Sequence, residues 1–176
     1  MTTDKKATRK RVKLTEGDVF EFVVPDGRLG YGIIVKRGGL KHGGTPYIAV
    51  FASLYDERPE VTELVRDEVA FAGWTMDALV YHRRWIVIAH DLPLPRVPFP
   101  NFKCGREGKI YVTDVNGVFI DEATAIEGDL LDYKFSKSPI TFQDAFESIH
   151  GFQVWRDHYE KLTPAYSKAR ITRSAE

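Results

Sequence analysis

Five histidines (His42, His82, His90, His150 and His158) and a single cysteine, Cys104, are the side chains of this 176-residue sequence best suited to metal or nucleophilic chemistry. Their spacing assembles no familiar site. There is no His-Glu-x-x-His, no Cys-x-x-Cys and no calcium loop. His150 and His158 would stand roughly 80° apart on one continuous helix, a poor arrangement for a shared ion. His90-Asp91 could act as an acid–base pair, but the two residues end an apolar strand, where neighbours face opposite sides. Cys104 has no histidine close in sequence to serve as its base. No serine sits in a Gly-x-Ser-x-Gly elbow. The stretch from Arg37 to Gly44 suggests a phosphate cradle, yet it lacks the Gly-Lys-Ser/Thr ending and the helix such a cradle needs. The expectation is a protein that is not an enzyme, with neither cofactor nor metal.

Charge is more informative. The formal balance is zero, but residues 1–13 carry a net +5 and the remainder a net −5. Residues 1–13 read as a basic flexible arm, and the folded part as mildly acidic. A nucleic-acid face should be basic, so base stacking by Tyr31, Phe71, Trp74 and Trp85 is the weaker reading, aromatics on alternating strands being more often core. The densest acidic group is Asp56, Glu57, Glu60, Glu63, Asp67 and Glu68, lightened by Arg58 and Arg66. Such a group suits a basic protein partner. Tyr55 and Trp74, expected at the surface, are its candidate aromatic anchors. A single cysteine excludes an intramolecular disulfide and fits the cytoplasm. No apolar run is long enough to span a membrane, and the first residues lack the apolar segment of a secretory signal.

The elements that must position these groups follow from hydrophobic period. Phe20, Phe22 and Val24 share one face of a first strand, whose Asp18 and Glu21 are expected on a wet side. Pro25-Asp26-Gly27 is a turn, and Gly30 and Gly32 flank Tyr31 in a second strand, which suggests a bulge or a tightly curved strand where another backbone comes close. Tyr47–Ala52, Val69–Trp74 and Trp85–Ala89 read as further strands, and Val61, Leu64 and Val65 as a short helix. Four prolines between Pro93 and Pro100 impose an extended strap along the sheet edge, anchored by Leu94, Val97, Phe99 and Phe102. Asn116-Gly117 marks a two-residue hairpin. Thr141 with Asp144 suggests a capping box ahead of a helix lined by Phe142, Ala145, Phe146 and Ile149. Gly151 is placed to end that helix, and Phe152, Trp155, Tyr159 and Leu162 repeat at helical spacing until Thr163-Pro164, as a second helix or as one helix bent at Gly151. The expected fold is α+β: a strongly curved, barrel-like antiparallel sheet with C-terminal helices packed on one side. Residues 14–165 form the single domain, and 166–176 a loose tail.

Gly17-Asp18-Val19-Phe20 followed by Asp26-Gly27-Arg28-Leu29-Gly30-Tyr31-Gly32 resembles the opening of the bacterial immunity protein 26 family. Glu63-Leu64, the strand at Val69–Phe71, Arg84-Trp85-Ile86-Val87-Ile88 and the proline-rich run continue the similarity across roughly residues 12–130. The resemblance implies an antidote of a polymorphic toxin system. It would bind a cognate toxin domain, basic and plausibly a nuclease, and neutralise it by direct contact. On this view the toxin-facing residues are Tyr55, Asp56, Glu57, Glu60, Glu63, Asp67, Glu68 and Trp74. The competing expectation is a non-catalytic barrel-like module that binds nucleic acid or a small ligand. Neither membrane nor nucleic acid is an expected direct partner of the antidote.

Overall fold

A computed structural model describes residues 13–38 and 44–173. Most of the basic arm, the tip of the loop after Gly38 (with His42) and residues 174–176 therefore lie outside the described residues. Five strands, β1 (Val19–Val23), β2 (Leu29–Arg37), β3 (Pro46–Phe51), β4 (Val69–Trp74) and β5 (Ile86–Ala89), pair antiparallel in the order β4-β3-β2-β1-β5. That order leaves β4 and β5 as edges, so this sheet is open and does not form the expected barrel. A second sheet joins β6 (Phe102–Arg106), β7 (Lys109–Thr113) and β8 (Phe119–Glu122). Short helices α1 (Val61–Leu64), α2 (Ala78–Tyr81) and α3 (Ala125–Leu130) punctuate the chain. The C-terminal part holds α4 (Pro139–Ile149), a 3-10 helix (Asp157–Leu162) and α5 (Pro164–Lys168). The class is α+β.

Both faces of the large sheet are buried, which period-2 alternation allows when each side finds a cover. Phe20, Phe22, Ile34, Ile48, Val50 and Phe71 face α4 and the 3-10 helix, through Phe142, Phe146, Tyr159 and Leu162. Val19, Tyr31, Ile33, Tyr47, Ala49 and Trp74 face the other way. The proline strap covers this second face rather than the edge: Leu92, Val97, Phe99 and Phe102 pack on it, while Leu94 stays exposed. Val115, from the β7–β8 loop, enters the same cluster.

The glycines of β2 explain why the first hairpin can carry large aromatics. Phe20 pairs with Gly32 and Phe22 with Gly30. A Cβ on Gly32 would fall 2.3 Å from the Phe20 ring, and one on Gly30 2.5 Å from the Phe22 ring. Each ring thus lies across a bare backbone. Phe20 stacks on Trp85 with ring centroids 4.5 Å apart, and the Trp85 Nε1–H donates to Gln143 Oε1 of α4 at 3.1 Å. Sheet and helix are locked together there.

Three local expectations change. The β7–β8 turn has three residues, with Gly117 at φ +87°, and the Asp114 carboxylate accepts the Asn116 and Val118 amides. The two-residue hairpin with consecutive positive φ is Glu107-Gly108, between β6 and β7. The complete capping box is Thr124–Glu127 at α3, whereas α4 begins earlier than expected, at Ser138-Pro139. Residues 166–173 are not loose either. Buried Asn101 accepts the Thr172 and Arg173 amides through Oδ1, at 2.8 and 2.9 Å. Arg173 pairs with Glu127 and Asp121, and its guanidinium holds the Glu127 carboxyl down to about 2.

Candidate partner interface

The acidic group lies on the connection between β3 and β4, and the chain anchors that connection at both ends. Ala52 N–H donates to Glu68 O at 2.8 Å, closing its base. Leu29 and Tyr55 exchange two backbone hydrogen bonds, at 2.8 and 3.0 Å, which hang the connection from β2. Leu64 of α1 is fully buried in the second core cluster and seats the single helical turn. Asp56, Glu57, Glu60, Glu63 and Glu68 are left exposed.

A buried carboxylate pins the middle of this segment. Glu21 and Asp18, expected on a wet side of β1, are 6% and 1% exposed. Glu21 accepts two bonds from Arg58, Nε at 2.8 Å and Nη2 at 2.9 Å, and a third from the Tyr31 hydroxyl at 2.8 Å. The fork geometry suits a guanidinium. Hydrogen bonding to Arg58 outweighs burial and holds the Glu21 carboxyl below its ordinary range. Burial, then the bond to Glu21, raises the Tyr31 phenol. Arg58 is therefore a tether rather than a free cation in the acidic group, and it fixes Asp56, Glu57 and Glu60 above the β1–β2 hairpin.

Two of the eight expected contact residues are placed otherwise. Asp67 turns inward: its carboxylate accepts the Ser53 amide at 3.0 Å and the Ser53 hydroxyl at 2.8 Å. Trp74, expected at the surface, is 4% exposed, with Tyr47 edge-on at 5.3 Å and the Lys134 ammonium over its ring at 4.3 Å. It also ends the strand that Glu68 precedes, roughly 20 Å away along β4. Tyr55 stays close to the acidic group but is half-buried, with its ring edge-on to Tyr31.

An aromatic that does reach the surface is Trp155, at 39% exposure, next to Val154 at 83%. Helical spacing from Phe152 to Leu162 put Trp155 on a buried face. As Gly151 indicates, α4 ends at Ile149, and the Phe152 amide returns to Glu147 O and the Gly151 amide to Ser148 O. Residues 152–156 run non-helically. His150 Nε2 meets Ala52 O at 2.9 Å, and Trp155 stacks on Phe71 of β4. Trp155 thus lies against β4, three residues along the strand from Glu68, while His150 reaches the residue that closes the base of the acidic connection. Gly151 was the sequence signal for this break.

His90 bonds Asp18, not Asp91: its Nδ1 lies 2.7 Å from Asp18 Oδ1. Asp18 also accepts the Thr15 amide and hydroxyl, at 2.7 and 2.9 Å, so it ties down the entry to β1. Among the described residues no three His, Cys, Asp or Glu side chains are grouped to hold a metal ion, and no helix is long and apolar enough to cross a membrane. Residues 15–104, just over half of the chain, match the family model described as Immunity protein 26. That span runs from the approach to β1 into β6, stopping short of the region to residue 130 over which similarity was expected. Searches among curated proteins and among solved structures found no match.

Proposed function

Because the chain belongs to the immunity protein 26 family, we propose that it binds a cognate toxin domain and neutralises it by direct contact, in the cytoplasm and without catalysis of its own. The toxin-facing surface is the β3–β4 connection, with Asp56, Glu57, Glu60, Glu63 and Glu68 as its charged part and Tyr55 at its edge. Trp155 replaces Trp74 as the aromatic anchor. The observation that carries this assignment is the set of five exposed carboxylates held on a segment that is itself fastened by Arg58 and Leu29. Rigid presentation lowers the ordering cost of binding.

The charge suggests the partner's chemistry. A nuclease must hold phosphates with cationic side chains, and an acidic surface can cover that cleft. Opposite charge accelerates encounter from about 10⁵–10⁶ M⁻¹s⁻¹ toward about 10⁸–10⁹ M⁻¹s⁻¹ at low salt. The test is co-expression with the toxin domain encoded beside this gene. The protein should rescue growth, and the triple variant Glu57→Lys, Glu60→Lys, Glu63→Lys should rescue poorly while folding normally. Full rescue by that variant would remove the acidic connection from the interface.

A further inference from the structure

A pocket of about 50 Å³ lies between the β4 edge, the end of the proline strap and the C-terminal segment. A single water needs roughly 10–15 Å³ and an apolar cavity of about 150 Å³ takes benzene, so this pocket admits a group of a few heavy atoms. Tyr47, Trp74 and Phe102 line it, and Tyr133 and Phe135, both more than half exposed, flank it.

Its polar lining is rich in donors and short of acceptors. Trp74 Nε1 and Arg170 Nε are buried and have no partner among the described residues. Arg170 Nε stands 3.9 Å from Asp132 Oδ2, beyond hydrogen-bond reach. Its guanidinium is held over the Tyr166 ring, 3.2 Å from the centroid. The Lys137 ammonium lies over the Phe135 ring at 4.6 Å, and no described carboxylate is within bonding distance of it. The one carboxylate in the lining, Asp132, is already engaged by Lys161 Nζ at 2.8 Å and the Tyr166 hydroxyl at 2.6 Å. Buried donors without acceptors are costly, and burial lowers the Lys137 pKa in the same sense.

We propose that this pocket binds a compact carboxylate, its oxygens toward Lys137, Trp74 Nε1 and Arg170 Nε and its apolar body against Tyr133 and Phe135. The head group can come from a free small acid or from the C-terminus of a peptide. Most of the lining falls outside residues 15–104, so the site is independent of the toxin-binding assignment.

The test follows the Trp74 indole N–H resonance in ¹H–¹⁵N spectra of the full chain. Phenylacetate should move it saturably, and phenylacetamide, of the same shape without the charge, should bind at least about tenfold more weakly, the weight of one charge-assisted hydrogen bond. Lys137→Met should weaken phenylacetate by at least a similar factor. A tripeptide ending in a free-carboxylate Phe that binds more tightly than phenylacetate identifies a chain terminus as the source. Weaker binding of the tripeptide identifies the free acid. An indole resonance that stays still, or moves equally with phenylacetamide, overturns the proposal. Should Lys137→Met fail to fold, the acid–amide comparison on the parent protein still decides.

Discussion

Replacing Gly32 by Ala should destabilise this protein although nothing about the backbone forbids alanine there. Gly32 is not among the positive-φ residues, so restricting the unfolded chain would by itself stabilise by about 0.4–1 kcal/mol. The opposing effect is steric. The new methyl would lie 2.3 Å from Phe20 Cζ and 2.7 Å from the Ala49 carbonyl oxygen on β3. Phe20 cannot swing away, because it is stacked on Trp85, which α4 holds through Gln143. The carbonyl belongs to the β2–β3 ladder and moves only with the strand. Overpacking a core costs about 1–3 kcal/mol, sometimes more, and Gly32→Ala should fall at or above about 3 kcal/mol. At Gly30 the nearest atoms belong to side chains: Phe22 at 2.5 Å and Phe146 at 2.9 Å. Gly30→Ala should therefore cost less and be relieved by shortening the ring. Urea unfolding of two double-mutant cycles separates the cases. Gly30→Ala with Phe22→Leu should show a favourable coupling of about 1 kcal/mol or more, and Gly32→Ala with Phe20→Leu distinctly less, since the carbonyl remains. A Gly32→Ala protein as stable as the parent, or equal coupling in both cycles, would refute the steric account.

Two pH effects follow from the paired carboxylates. Glu21 is held below its ordinary pKa by Arg58, so its contribution is full above the unfolded value near 4.3 and is lost as pH falls through the folded one. Arg58→Met should therefore destabilise most near neutral pH, with the gap to the parent closing in acid, and Glu21→Gln in that background should recover stability. A pH-independent gap in urea melts would contradict this. Glu127, at about 2 through Arg173, should fasten the C-terminal segment above about pH 4.3 and release it as pH drops toward 2. Hydrogen exchange at the Thr172 and Arg173 amides reports it, and unchanged protection on Arg173→Met would count against the latch.

The large sheet was legible because strand period and glycine placement are local. Phe20, Phe22 and Tyr31 declare their faces within a few residues, and both aromatic–glycine pairs follow from one hairpin register. The partners of Asp18 and Glu21 were not legible, because His90 and Arg58 lie 72 and 37 residues away in sequence. Buried carboxylates look wet until such a partner is placed. Trp74 and Trp155 exchanged roles for a related reason. A strand tryptophan at an edge looks exposed until the C-terminal segment covers it, and the helical spacing from Phe152 to Leu162 does not reveal that residues 152–156 run non-helically. The acidic connection was legible as composition; that Asp67 turns inward to Ser53 was not, since its acceptor role depends on where β3 ends.

The central claim is most directly tested by measuring association of the purified protein with its proposed cognate toxin domain, at low and high salt. The account predicts one-to-one binding whose association rate falls steeply with salt. It also predicts that Glu57→Lys, Glu60→Lys, Glu63→Lys slows association by at least about tenfold, and that Trp155→Ala mainly speeds dissociation. No measurable complex, or a complex indifferent to salt and to all four substitutions, would contradict it.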